Sequence, residues 1–184
     1  MVIKIVEQVN DEELLESLWG LYYEAFKDLN SLAVQRHLMY RHEFDDVMRD
    51  QRVQKYLCLD DDGTLYGLST YTNNLDAVPL IAPQYFERHW PDHYAARKIW
   101  YIGFVAVDPK VQGKRHAFAE LVEEMYLVAA TQNGLVGLDV CNYNDDTRSM
   151  TRIFRMMVSR LSDTMRFERI DQQSYWLYEF PTAA

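Results

Sequence analysis

Two cysteines in 184 residues exclude a disulfide-stapled scaffold and leave no cysteine framework for a metal. Cys58 and Cys141 each stand inside an apolar, strand-like stretch and read as buried free thiols. Seven glycines and five prolines are scattered too thinly to form a linker, a repeat or a low-complexity tract. Residues 1–184 therefore read as one domain. Basic residues are the scarcer charge, 19 Lys and Arg against 28 Asp and Glu, for a net charge of -9. That balance excludes the broad basic face of a nucleic-acid surface. No apolar run approaches membrane-spanning length, and the first residues lack the charged-then-apolar pattern of a signal peptide. The expectation is a cytoplasmic protein with no membrane or nucleic-acid partner. Apolar residues make up 48% of the chain, enough for a substantial core at this length.

Periodicity gives an alternation of strands and helices. Residues 2–8 read as a first strand, and Asn10-Asp11-Glu12-Glu13 as a helix N-cap with acidic first-turn residues. The helix behind it carries Leu14, Leu18, Leu21, Tyr22, Ala25 and Leu29 on one face. A second helical region covers about 32–50, with a break near Arg41-His42. Strands at 53–59 and 64–72 are joined by Asp60-Asp61-Asp62-Gly63, a strong hairpin turn. Residues 75–98 are irregular, with a short helix near 84–89. A strand at 99–107, a helix at 117–132 closed by Asn133-Gly134, a strand at 135–141 and a helix at 145–161 come next. Strands near 166–170 and 175–180 complete an α/β chain with a mixed central sheet of about six or seven strands flanked by helices.

The segment from Phe104 to Ala117 is the most informative. An apolar strand runs through Asp108-Pro109 into Lys110-Val111-Gln112-Gly113-Lys114-Arg115-His116 and then into an amphipathic helix. Such a junction gathers unpaired backbone N–H groups and the positive end of a helix dipole, which suits a small anion. Lys110, Lys114 and Arg115 concentrate positive charge there within an acidic chain. A second pattern lies downstream, where Leu138-Asp139-Val140 is followed by Asn144.

Together these residues resemble the GCN5-related N-acetyltransferases. Gln112 and Ala117 match the ends of that family's acyl-CoA loop, with Gly113-Lys114 in its middle. Arg115 stands where the family usually has glycine, and an arginine there can add a charge-assisted hydrogen bond to a phosphate. Asn144 falls where the family's strand-end asparagine contacts the CoA arm. The resemblance implies an acyl-CoA N-acyltransferase fold and acetyl-CoA or another acyl-CoA as co-substrate. It further implies that the backbones of Val105 and Val107 hold pantetheine, that residues 112–117, including His116, hold the pyrophosphate, and that Asn144 assists. The implied activity is acyl transfer to a primary amine of a small molecule or protein, by direct attack in a ternary complex. Two alternatives stay open, an acyl-carrier-protein-dependent N-acyl synthase of the same fold and a non-catalytic acyl-CoA-binding domain.

Acid and base are not spelled out. Trp100-Tyr101-Ile102-Gly103-Phe104 carries no carboxylate where many family members place a glutamate, and Tyr101 is its only ionisable side chain. Thr151 stands at the offset of the family's usual tyrosine acid. The candidate catalytic hydroxyls are therefore Tyr101, Tyr143 and Ser149. His37, His42, His89 and His93 have no metal-ligand spacing, and no metal is expected. Asp76 sits in a loop that shapes turns or lines an acceptor cleft. Tyr22, Tyr23, Phe26, Tyr40 and Phe44 read more readily as core than as an acceptor cover. Either a monomer or a homodimer is compatible with the chain.

Overall fold

The computed structural model describes residues 1–110 and 116–180. It opens on β1 (Val2–Val6), then α1 (Glu12–Phe26), the single turn α2 (Leu29–Leu32) and α3 (Arg41–Arg49). A hairpin of β2 (Gln54–Leu59) and β3 (Leu65–Thr72) comes next. Two short helices, α4 (Pro83–His89) and α5 (Pro91–Ala95), lead to β4 (Ile99–Val107). The chain then forms α6 (Ala117–Ala130), β5 (Leu135–Leu138) and α7 (Met150–Val158). The local signals act as their chemistry dictates. Asp11 caps α1 by accepting from the Leu14 N–H at 2.7 Å, satisfying one of the orphan donors of the first turn. Gly63 takes φ 84° in the β2–β3 turn, a conformation that only glycine adopts without cost. Asn133 is left-handed after α6, and the Gly134 N–H returns to the Ala129 carbonyl at 2.8 Å.

Among the described residues the strands form one sheet in the order β1-β2-β3-β4-β5. The first four pair antiparallel and β5 lies parallel to β4. Two apolar layers cover it. On one face Leu15, Leu18 and Tyr22 of α1 and Phe44 and Met48 of α3 bury against Leu57, Leu68, Phe104 and Ala106. On the other, Ala117, Leu121, Met125 and Ala129 of α6 pack on Tyr56, Cys58, Tyr71, Trp100 and Ile102. A smaller cluster of Leu75, Phe86, Ile99 and Tyr101 closes the first face beneath α4.

β4 changes parity midway. Ile99 and Tyr101 share a face with Phe104 and Ala106, so one extra residue is inserted between them. The ladder with β3 locates it, since Thr70 opposes Phe104 and Tyr71 opposes Ile102, leaving Gly103 unmatched. This is a β-bulge, which bends the strand and re-aims the residues beyond it. Glycine is required by space, because a Cβ there would stand 2.5 Å from Thr70 Oγ1.

Lys55 is fully buried. Its ammonium donates to the carbonyls of Glu7, Asp50 and Val53 at 2.9, 2.6 and 2.6 Å. One side chain thus ties the exit of β1 and the end of α3 to the start of β2. Burial pushes its pKa down from 10.5 to about 8.

Several expectations are corrected. Among the described residues the sheet has five strands rather than six or seven. Residues 166–170 and 175–180 form no strand, and Trp176, Leu177, Tyr178 and Phe180 stand 75–95% exposed. Their aromatic, β-favouring sequence lacks a neighbouring strand, and β-propensity expresses itself only on a paired surface. Of the helical region expected over 32–50 with a break near Arg41-His42, only Arg41–Arg49 is a continuous helix; the part before it is loop, because Tyr22 and Asn30 capture the backbone of 37–39. The strand expected over 135–141 ends at Leu138, and the helix expected from Asp145 begins at Met150, after a π-type turn, Tyr143–Thr147. Cys58 is buried, whereas Cys141 is only half-buried; both are free thiols. Among the described residues, no helix is long and apolar enough to cross a membrane.

Candidate functional site

The β4–β5 ladder runs from Ile99↔Leu135 to Ile102↔Leu138 and stops there. On its other side β4 stays paired with β3 as far as Val107. From Gly103 onward, then, β4 has one edge with no strand beside it among the described residues. Backbone groups on that edge are available to a ligand that lies along it as a strand would. Val105 and Val107 are half-buried on this free stretch, on the face of α6.

Asn144 lies just beyond β5, in the Tyr143–Thr147 turn. Its side-chain oxygen is buried and has no hydrogen-bond partner. A buried acceptor left unsatisfied costs about 1–3 kcal/mol, so an incoming N–H is favoured there. This unpaired oxygen, close in sequence to the β5 exit, is an acceptor open to a ligand N–H. The other candidates around this turn stand in different surroundings, and of their hydroxyls that of Thr151 is engaged. Tyr143 has the Arg148 guanidinium 5.5 Å from its ring centre. Ser149 occupies a left-handed conformation, φ 53° and ψ 37°, immediately before α7. Thr151 donates to the Asp145 carboxylate, which also meets Arg169 at 3.3 Å.

Gln112, Gly113, Lys114 and Arg115 lie outside the described residues. The strand-to-helix frame around them is in place. Asp108 donates its N–H to the Tyr66 carbonyl and accepts from the Lys110 N–H at 2.9 Å. On the far side His116 is exposed, and Ala117 opens α6 with its methyl fully buried.

On the opposite face of the sheet, Tyr101 is 5% exposed, and its hydroxyl donates to Asp139 Oδ1 at 2.9 Å. The register explains the meeting. Tyr101 pairs with Gly137, and a Cβ on Gly137 would approach the Tyr101 ring to 2.9 Å. The ring therefore crosses the glycine and reaches Asp139, two residues on and on the same face. Burial first, and then the Asp139 charge and hydrogen bond, push the Tyr101 phenol up, so it stays a proton donor at neutral pH.

His37 approaches the same place from the loop before α3. The Tyr22 hydroxyl donates to its carbonyl and accepts from the Met39 N–H, both at 3.0 Å. The Asn30 side chain accepts from the His37 and Leu38 N–H groups at 3.3 and 3.4 Å. The loop is thereby clamped, yet the imidazole Nε2 is buried without a partner. Burial pulls the imidazole pKa down, and the Asp139 charge partly raises it again. Met39, two residues on from His37, shares with Tyr101 the lining of a small recess of about 40 Å³, together with Thr70, Pro79 and Gly103; neither His37 nor Asp139 lines it.

The roomier depression, about 320 Å³, sits elsewhere, at the opposite end of β4 between Asn73, Asp76, Tyr94 and Arg97. It meets β4 at Ile99, within the stretch paired with β5 and away from the unpaired edge beyond Ile102, so its size does not make it the site. Asp76 belongs to that depression, within the turn Leu75–Ala77. Of the aromatics, Tyr22 and Phe44 are core, while Tyr23 and Tyr40 are exposed.

Tyr101 is visible as a candidate in the sequence, whereas Asp139 and His37 emerge only from the fold. Asp139 carried a signal, since it is two residues from Gly137 at the end of the strand beside Tyr101. His37 carried none, because its position depends on the Tyr22 clamp. Among the described residues, no three His, Cys, Asp or Glu side chains gather as a metal site.

No protein-family model matches the chain, and comparison with curated proteins finds no match. Solved structures do match its fold. A possible acetyltransferase from Clostridium difficile 630 superposes with a TM-score of 0.59 at 11% identity, over 97% of this chain and 100% of that one. AAC(6')-Iy, in complex with the bisubstrate analogue CoA-S-monomethyl-acetylneamine, gives 0.53 at 12% identity, over 97% and 99%. Tetrahymena GCN5 gives 0.52 at 13% identity, over 82% and 77%.

Proposed function

We propose, from a chain that has the fold of the GCN5-related N-acetyltransferases, an acyl-CoA-dependent N-acyltransferase acting on a primary amine of a small molecule or protein. The observation that carries this reading is the free edge of β4 beyond Ile102↔Leu138, together with the uncommitted Asn144 oxygen beyond β5. Bound acyl-CoA supplies an acyl group, acetyl in the simplest case, as a thioester. In this reading the β4 backbone at Val105 and Val107 and the Asn144 oxygen hold the pantetheine arm. The segment 112–117 and the first turn of α6 receive the pyrophosphate, where free N–H groups and the helix dipole favour an anion. Holding both reactants in line supplies much of the rate, and strand amides aimed at the carbonyl oxygen stabilise its developing charge. The net charge of -9 favours a cationic acceptor by long-range attraction.

Calorimetric titration with acetyl-CoA and with free CoA tests the reading. Saturable one-site binding is expected for both, and Asn144→Ala should weaken it by roughly 2- to 12-fold, the value of one hydrogen bond. Absence of heat and of a thermal shift with either ligand would overturn it.

A further inference from the structure

The acyl-CoA reading leaves two needs unmet, a partner for the acceptor's charge and a group to take its proton. Candidates for both stand beside Tyr101, Asp139 just beyond β5 and His37 in the loop before α3. We infer that the exposed Asp139 carboxylate anchors the acceptor as an ammonium, that His37 Nε2 takes a proton from that ammonium, and that Tyr101 positions the carboxylate. The inference rests on the acyl-CoA reading for its donor but on separate residues for its evidence.

Three observations carry it. Asp139 sits at the end of β5, one residue past the point where β5 leaves β4, so its charge lies at the rim of the free β4 edge. Its Oδ1 is fixed by a buried tyrosine at 2.9 Å, while the residue remains open to solvent, as an anchor for a diffusing amine must be. His37 offers a buried Nε2 with no partner on a backbone held at both ends by Tyr22 and Asn30. A ring nitrogen so placed has nothing to bond until a donor arrives.

The surrounding charges agree with the roles. Asp139 from the β5 end is the charged group that acts on the His37 imidazole. Tyr101 from β4 and Tyr22 from α1 stay neutral, since burial raises both phenols, Tyr22 to about 12. The adjacent Arg36 is engaged by Glu43 through two contacts of 2.6 and 2.7 Å. Burial keeps the imidazole below its ordinary value of 6.5, so at neutral pH it is uncharged and able to accept a proton.

The step balances. The ammonium bound at Asp139 gives one proton to His37 Nε2, which frees the nitrogen lone pair. That pair forms the N–C bond to the thioester carbonyl carbon. The C–S bond breaks, with its electron pair leaving on the CoA sulfur. A second nitrogen proton goes to that sulfur, and the imidazolium returns its own to solvent. An N-substituted amide, CoA thiol and one released proton result.

The test tracks the imidazole C2–H resonances of the five histidines by NMR, with His37→Gln assigning the signal. Spermidine is the amine probe, and Asp139→Asn and Tyr101→Phe are the variants. His37 is expected to titrate below 6.5 and to shift saturably with spermidine. Asp139→Asn should lower its pKa further and weaken spermidine by about tenfold or more, as loss of a charged hydrogen-bond partner does. Tyr101→Phe should weaken it less. A His37 signal unmoved by spermidine, or a His37 pKa unchanged in Asp139→Asn, would overturn the inference. Acetyl-CoA calorimetry on the same proteins separates the two readings. Binding of acetyl-CoA with a silent His37 removes the amine station alone. A responsive His37 without acetyl-CoA binding removes the donor and keeps the station.

Discussion

Raising the pH from 7 to 10 should strengthen this fold through Lys55, against the usual alkaline trend. The buried ammonium is enclosed by three carbonyls, and its pKa falls from 10.5 to about 8. Between those values the unfolded chain keeps a proton that the folded chain has released. Stability therefore rises with pH across the window, and is lost as pH falls through about 8. At 1.36 kcal/mol per pH unit, the full gain is on the order of 3 kcal/mol. Other groups oppose it. Burial raises the Cys58 thiol and the Tyr22, Tyr56, Tyr71 and Tyr101 phenols, so their contribution declines once the unfolded counterparts ionise. Comparison with Lys55→Met removes these, because both proteins share them. Urea unfolding at pH 7, 8, 9 and 10 should show wild type gaining roughly 2–3 kcal/mol relative to the variant. Parallel curves over that range would refute the assignment of Lys55 as a buried ammonium.

Gly103→Ala drives a methyl to within 2.5 Å of Thr70 Oγ1, and should cost about 1–3 kcal/mol; Thr70→Ala in the same chain should restore most of it, as chemical denaturation of the double variant will show. Tyr22→Phe removes both bonds to the 37–39 loop and should cost about 1–3 kcal/mol, with faster hydrogen exchange at the Met39 amide; unchanged exchange there would mean the loop is held otherwise. Ending the chain after residue 165 removes mostly exposed side chains. It should lower Tm by no more than about 2–4 °C, the equivalent of 1 kcal/mol.

The parts of the fold legible in the sequence are those governed by local chemistry. The strand at 99–107 has the bounds read from its apolar run, and the Asp60–Gly63 turn and the Asp11 cap arise from single side chains. Where partners decide, the sequence misleads. Residues 175–180 have the composition of a strand but no neighbour to pair with. Residues 33–40 have the spacing of a helix, yet a phenol on α1 binds their backbone. The Gly103 bulge is invisible in a stretch apolar on both faces, since a slip of one residue leaves no polar mismatch behind. For the site, Tyr101 could be read from its strand alone. Asp139 and His37 are far apart in the chain, and only the parallel addition of β5 and the Tyr22 clamp bring them to one place.

The sheet's strand order equals its sequence order, and this has a consequence for how the protein is made. A ribosome adds about 5–20 residues per second, whereas a hairpin closes in about 1–10 μs. The antiparallel ribbon from β1 to β4 can thus zip up on a nascent chain while α6 and β5 are still being synthesised. Until then β4 is an open edge along its whole length. Arrival of β5 covers only the first half, as far as Ile102. The unpaired edge beyond Ile102 is therefore the portion of a nascent edge that no later strand among the described residues covers, inherited from the order of assembly rather than carved into a finished sheet.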